Sequence, residues 1–333
     1  MITRRDLLRR LALAGGSHLL SRPQPVAAEP LLETTKVRLI RSPDICLAPL
    51  YMAEELLRGE GFTDVQYVQG TGGQDDIKLA ATGATDFIGG FVGRHLAGLD
   101  AGDPIVILSG LHIGCFELFG GQQVRSIREL KGKQVAVTRL TSGRHIFLSV
   151  MAGHVGLDPR KDIDWVTEPV DKSIRLFADG KIDAFMAFPP EPQELRAKKI
   201  GHVVVNTTID RPWSQYFCCM VVSNREFVRK HPVAAKRALR AILKANSICA
   251  LEPVRAARTL KDKWYPAMNY DYALQTIKEL PYSQWREYDP EDTVRFYTLR
   301  MNEVGMIKSS PQKMIAQGTD WRFLNELKKE LKG

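Results

Sequence analysis

The stretch "VAVTRLTSGRHIFLSVMAGHVGL", residues 135–157, decides how this chain is read. It begins as an apolar run, breaks at Thr141-Ser142-Gly143-Arg144-His145, and resumes with helical periodicity. That sequence of signals is a strand turning into a helix. The same unit recurs on both sides. Upstream, "KVRLI" (36–40), "DVQYVQ" (64–69), "TDFIGG" (85–90) and "PIVILSGL" (104–111) read as strands, separated by helices over 48–61, 72–83 and 91–102. Downstream, "IDWVTE", "IDAFMAF" and "HVVVNT" alternate with helices in "DKSIRLFADG" and "PPEPQELRAKK". Strands alternating with helices of this length indicate βαβ units in a doubly wound, mostly parallel sheet.

The pattern restarts once, after "CFELFGG" and the hinge-like "QQVRSIRELKGK". "QYFCCMVVS" (215–223) is the last long apolar strand, and beyond "NREFVRKHP" only helical periodicity remains, broken by prolines. The expected fold is therefore α/β and two-lobed, each lobe a mixed, mostly parallel sheet flanked by helices, with a helical C-terminal tail. The chain is expected to cross near Leu111–Gly121 and return near Asn206–Tyr216. Lobe I would then be 29–111 plus 217–333, and lobe II 112–216. Two consecutive independent domains are the competing arrangement.

Residues 1–28 stand apart. A twin arginine, Arg4-Arg5, precedes Leu7-Leu8 and a short Gly-interrupted apolar stretch, and Val26 and Ala28 flank a cleavage site. This reads as a twin-arginine-type signal peptide and predicts a periplasmic protein. The segment carries +4 of the formal +9, leaving a mild +5. No dense basic run with interleaved aromatics occurs, so nucleic acid is not an expected partner. No apolar run is long enough to span a membrane. The five cysteines are Cys46, Cys115, Cys218, Cys219 and Cys249, an odd number, so at least one is free or pairs between molecules. Cys218 and Cys219 would alternate faces of a strand and do not readily bridge each other. No CxxC or HExxH occurs, and His112-Ile-Gly-Cys115 alone does not make a metal site.

Ligands of open parallel sheets bind beyond the carboxyl ends of the strands. The loops there supply Asp44, Cys46 and Leu47, with Tyr51 behind them; then Thr71, Gly72 and Gly73; then Gly90 and Phe91. The second half supplies Thr141, Ser142, Gly143, Arg144 and His145, then Phe188 and Glu191, while His112 lies in the crossover. The Thr71 loop has neither dinucleotide-loop nor P-loop spacing. The Thr141–His145 cluster has three readings. It lacks the GxSxG nucleophile elbow. Its hydroxyls suit a helix cap, worth roughly 1 kcal/mol. Its amides and Arg144 suit an anion at the positive end of a helix. A helix terminus offers an anion about 0.3–1 kcal/mol, and a charged hydrogen bond about 1.5–3. Micromolar binding needs about 8 kcal/mol. One cradle is not enough, so both lobes would have to close, with Tyr51, Phe91 and Phe188 as apolar walls. Arg144→Ala is then expected to weaken binding tenfold while leaving folding intact.

At these loops the chain resembles the periplasmic substrate-binding proteins of ABC importers of the nitrate, sulfonate and taurine type, a group that includes thiamine-pyrimidine binders. The matching stretches are "APLYMAEELLRGEGF", "GTGGQDDIKLAATGATDFIGG", "SIRELKGKQVAVTRLTSGRHIFLSVMAGHVGL" and "LFADGKIDAFMAFPPEPQEL". The resemblance implies the type II periplasmic-binding-protein fold and a small ligand, anionic or aromatic, between the lobes. It also implies a permease and an ATPase as partners, a monomer, no cofactor and no chemistry by this chain. It maps a Ser/Thr-and-His cluster onto Thr141, Ser142 and His145, a first-strand loop onto Asp44–Leu47, and an amide loop onto Gly72 and Gly73. Sulfonate-type members often carry aromatic-Asp-Pro where this chain has Phe188-Pro189-Pro190, so their ligand set does not transfer directly. The alternative is a periplasmic enzyme or a cofactor- or metal-binding protein using Cys46, His112, Cys115 or Cys218-Cys219.

Overall fold

The computed structural model of the chain describes residues 29–70 and 74–331; the expected signal (1–28) and Thr71-Gly72-Gly73 lie outside the described residues. The first half contributes β1 (Lys36–Arg41), α1 (Ala48–Gly59), β2 (Asp64–Gln69), α2 (Gln74–Ala81), β3 (Phe87–Phe91), α3 (Val92–Asp100) and β4 (Ile105–Ile113). The second contributes β5 (Glu117–Gly120), β6 (Lys133–Val137), α4 (Gly143–His154), β7 (Ile163–Thr167), α5 (Val170–Ala178), β8 (Ala184–Ala187), α6 (Glu191–Lys198) and β9 (His202–Asn206). Then β10 (Phe217–Asn224) returns to the first sheet.

The sheet orders are β2-β1-β3-β10-β4 and β7-β6-β8-β5-β9. Within the first, β1 pairs in parallel with β2 and β3, whereas β10 is antiparallel to both β3 and β4. In the second, β6 is parallel to β7 and β8, and β5 is antiparallel to β8 and β9. Each sheet is thus a parallel unit with one reversed strand inserted. Every residue of β3, β4 and β10 is buried, which is why those strands read as unbroken apolar runs. Because β10 sits between β3 and β4, the two halves cannot be independent consecutive domains. The four-residue β5 had no sequence signal of its own. It is too short to show a period, and its burial comes from β8 and β9, more than 60 residues away.

The tail is helical: α7 (Arg225–Lys230), α8 (Pro232–Leu251), α9 (Pro253–Thr259), α10 (Tyr270–Glu279), α11 (Pro290–Glu303), α12 (Pro311–Gly318) and α13 (Arg322–Glu330). Pro232, Pro253, Pro290 and Pro311 each open a helix, where the missing N–H has no intrahelical role. Helix α8 lies along α1, fastened by Arg240 Nη2 to Glu60 Oε2 at 2.5 Å. The tail also reaches the other half: α11 packs on both α3 and α4, and α10 contacts α6.

The two passages of the chain between the sheets run side by side. Phe116 N donates to Thr207 Oγ1 at 3.1 Å, and Thr207 Oγ1 and Thr207 N both donate to Phe116 O, at 2.8 and 3.1 Å. Gly114 enters this crossing at φ +64°, where a Cβ would stand 2.5 Å from Thr208 Cα and 2.2 Å from Thr208 Oγ1. Both the left-handed backbone and the close approach demand glycine. Gly114→Ala is expected to incur about 1–2 kcal/mol for the backbone and about 1–3 kcal/mol more for the clash. Gly132→Ala, at φ +70° with nothing within 4 Å, should incur only the first cost. Urea midpoints of the two variants decide it; equal losses would mean the crossing yields freely.

Candidate functional site

The strand-end loops of both sheets converge beside this crossing. Phe91, at the end of β3, stacks on Phe147 of α4 with ring centroids 4.9 Å apart, and meets Phe116 edge-on at 5.4 Å. Phe188, after β8, lies 4.9 Å from Phe116. A Cβ on Gly143 would rest 3.5 Å from both Phe91 and Phe116, so the start of α4 lies directly on this aromatic layer. The predicted cap is present: Ser142 Oγ accepts from His145 N at 3.3 Å. Thr141 stays exposed.

Charge gathers around the layer. Burial pushes the Asp44 carboxyl up to about 6, against the opposing pull of Arg94 and, more weakly, Arg144. Arg94, on α3, lies beneath Gly90, where a Cβ would come within 2.7 Å of Arg94 Nη2 and 3.5 Å of His95 Nε2. Burial, reinforced by Arg94, pushes His95 down to about 3, so it is neutral at physiological pH.

Arg144 corrects the expectation drawn from the sequence. Its Nη2 lies 2.5 Å from Glu191 Oε1, with side chains only 13% and 11% exposed, and its guanidinium covers Phe188 at 5.7 Å. Glu191 Oε2 also accepts from Phe188 N at 2.9 Å. Arg144 is therefore bound into the wall of its own lobe rather than waiting for an anion, and truncating it would strand a buried carboxylate. Its Nε remains buried without a hydrogen-bond partner.

The predicted residues separate into three groups. Asp44, Gly90, Phe91, Ser142, Gly143, Arg144, Phe188 and Glu191 meet at the junction. Cys46 and His112 lie beneath it with Cys115 and Cys219: one sulfur or ring-nitrogen atom from each of the four falls within 4.8 Å of every other. Tyr51 and Leu47 belong to the core instead. Tyr51 packs against Tyr67 and Trp264, and its hydroxyl is spent on Ser42 O at 2.5 Å, Ser42 N at 2.9 Å and Tyr265 at 2.7 Å. Leu47 packs under Gly89. His145 sets its ring edge-on to Trp165 at 4.7 Å, and burial pushes it down to about 4.

Arg94, His95, Phe116 and Phe147 were not selected from the sequence, and Cys219 entered only through the metal-binding alternative. The signal for Arg94-His95 was available: an adjacent basic pair in the first turn of a helix directly after a buried strand. Nothing local marked Phe116 or Phe147 apart from ordinary core. Cys218 and Cys219 both approach Cys115, because β10 shifts register around Phe217–Met220; Cys115 Sγ lies 3.2 Å from Cys218 Sγ. Burial raises the thiols of Cys46, Cys115 and Cys218 well above the ordinary value. It acts on Cys219 in the same direction, but hydrogen bonds from the other three thiols and the charge of His112 outweigh it and hold Cys219 well below that value.

Beside Cys115 a cavity of about 250 Å³ opens, bordered by Glu117, Gln193, Arg196, Asn206 and Glu279. Arg196 bonds Glu117 and reaches Glu279 Oε2 of the tail at 2.6 Å, while Gln193 Nε2 donates to the same oxygen at 2.9 Å. Helix α6 is thereby latched to α10 across the cavity.

Two five-stranded sheets, each with one reversed strand, joined by a double crossover and closing on their strand-end loops, are the two-lobed periplasmic-binding-protein fold. Residues 118–261 match the NMT1-like family. The fold is shared with the periplasmic nitrate-binding protein NrtA of Synechocystis PCC 6803, at a TM-score of 0.73 and 15% identity over 91% of this chain and 90% of that one. It is also shared with the alkanesulfonate-binding protein SsuA of Xanthomonas axonopodis pv. citri, bound to MOPS, at a TM-score of 0.66 and 16% identity over 89% and 100%. A 101-residue stretch is 28% identical to the bicarbonate-binding protein CmpA of Synechococcus elongatus, covering 30% of this chain and 22% of that protein.

Arg144→Ala is expected to destabilise the fold by about 3 kcal/mol, the low end for a broken buried pair, and Arg144→Ala with Glu191→Gln to recover part of that loss. Chemical denaturation of the pair of variants checks it. His145, neutral in the folded protein and with an unfolded pKa of about 6.5, takes up its proton on unfolding. Its contribution to stability is lost as pH falls through that value towards about 4. His145→Gln should therefore lose less Tm than the parent between pH 7 and pH 4.5.

Proposed function

We propose that this chain is a solute-binding protein of the ABC-importer type, taking a small monoanion between its lobes. The observation that carries the reading is the meeting of strand-end loops from both sheets over one charged, aromatic-lined junction. Ligands of open parallel sheets bind at such ends, and proteins of similar fold are nitrate- and alkanesulfonate-binding.

In this reading the anion lies over Phe91, between Arg94 and the amides at the start of α4, where a helix terminus favours negative charge. Arg144 contributes its unused Nε while Glu191 holds the guanidinium in place. Asp44, its carboxyl pushed up to about 6 by burial, is still mostly ionised at neutral pH and repels a second negative charge on the ligand, which favours singly over doubly charged anions. Phe116 and Phe188 exclude water from the same space. The chain binds and hands over its ligand without chemical change, to a permease and its ATPase. It acts in the periplasm as a monomer after export directed by residues 1–28 along the twin-arginine route.

Closure runs through the latch. Opening the lobes must break the bonds from Arg196 and Gln193 to Glu279. Thermal unfolding of the purified protein with nitrate, bicarbonate, alkanesulfonates and aromatic carboxylates, against chloride at equal ionic strength, tests the reading. A ligand at 100 times its Kd stabilises by about 2.7 kcal/mol, so one class should raise Tm by several degrees. Flat responses to all four classes would overturn it. Glu279→Ala should bind the same ligand more weakly through faster release.

A further inference from the structure

Beneath the junction lies a group of side chains that ligand capture does not use. Cys46 comes from the turn after β1, His112 from the end of β4, Cys115 from the crossing, and Cys219 from β10. All four are buried, at 5% exposure or less. One donor atom from each lies within 4.8 Å of every other. We propose that Cys46, His112, Cys115 and Cys219 bind one resident zinc ion, which braces the floor of the cleft.

Three features separate this group from thiols that merely fill a core, the usual fate of buried cysteine. The first is the orientation of His112. Its Nδ1 stands 3.1 Å from Ile113 O. A carbonyl oxygen only accepts, so that contact puts a proton on Nδ1 and leaves Nε2, on the side of the Cys219 thiol, as the nitrogen a metal would take in place of a proton. Nε2 is fully buried and has no hydrogen-bond partner. This is the arrangement of a metal-binding histidine, whose second nitrogen is tied to a carbonyl that sets its tautomer and direction.

The second is the backbone at Cys115, held at φ +128°. A side chain in that region is strained, and such strain persists where the surroundings enforce it, often at functional sites. The third is the register shift in β10, which brings Cys219 up to the thiols of Cys115 and Cys46. Tyr282 then props the set from the tail: its hydroxyl donates to Cys46 O at 2.9 Å and its ring meets the His112 ring edge-on at 5.5 Å. Cys249, equally buried, has no place in the group.

The donor set selects the ion. Three thiolates and an imidazole, with no carboxylate among them, suit a soft or borderline tetrahedral ion. Zinc–sulfur bonds of about 2.3 Å and zinc–nitrogen bonds of about 2.0–2.1 Å give tetrahedron edges of roughly 3.5–3.8 Å. The present separations, within 4.8 Å, reach that with contraction of about 1.3 Å or less. Four protein ligands fill the sphere and leave no open position, so the ion would be structural, not catalytic. Binding releases the thiol protons to solvent and changes no oxidation state.

The test uses the full chain, reduced, loaded with zinc and passed through gel filtration. The parent and Cys249→Ser should each retain one zinc per chain, and Cys46→Ser and Cys219→Ser less than a tenth of that. Cobalt added to the metal-free parent should give thiolate-to-cobalt charge-transfer absorption and strong tetrahedral d–d bands, a readout that needs no variant to fold. Chelation should lower the parent's Tm. Parent protein that retains no zinc and gives no thiolate–cobalt band overturns the proposal. So does a Cys115–Cys218 disulfide in the native protein combined with a Tm indifferent to chelator.

Discussion

The double crossing of the chain at Phe116 and Thr207 is the constraint on which everything else rests. One backbone hydrogen bond and the Thr207 hydroxyl, which accepts from one backbone group and donates to another, hold the outgoing and returning passages together. Because the return leads into β10, and β10 fills the gap between β3 and β4, the first sheet is not complete until the chain has passed through the second half. The strand-end loops are then brought face to face at a fixed distance. At Gly114 the outgoing passage lies so close to Thr208 of the returning one that no side chain could be accommodated there.

The electrostatics follow from that closeness. Asp44, Arg94, Arg144 and Glu191 share one poorly solvated junction, two of each sign. A charge without a partner is expensive in such a place, and the pairing of Arg144 with Glu191 is the local solution. The same burial keeps His95 and His145 neutral. The junction is therefore a balanced site with one spare donor, the Nε of Arg144, not a bare positive patch. Selectivity would then come from size and from hydrogen-bond count more than from net attraction.

The α/β alternation, the restart near Gly121, the helical tail and the Ser142 cap were legible from residues 135–157 and their counterparts, because each is a local period or a local cap. The loops at the strand ends were legible too, since parallel sheets place ligands there. Arg144 does lie at the junction, but paired with a carboxylate that the sequence did not associate with it. Its partner Glu191 lies 47 residues away on another helix, and spacing carries no information about such a pair. Tyr51 was misjudged for a similar reason. The helical face it occupies turns toward Trp264 and Tyr265, contributed by a tail whose position no local pattern reveals.

The sequence by itself determined the elements and their order, since periodicity, caps and prolines act within a few residues of themselves. Tertiary structure alone decided that the last strand would be inserted between β3 and β4 of the first sheet, that Arg144 would be neutralised, and that Cys46, His112, Cys115 and Cys219 would share one small volume. Those four residues span 174 positions of the chain. Only packing between strands far apart in sequence, sharpened by a shifted register in β10, brings them together. Their chemistry depends on that proximity.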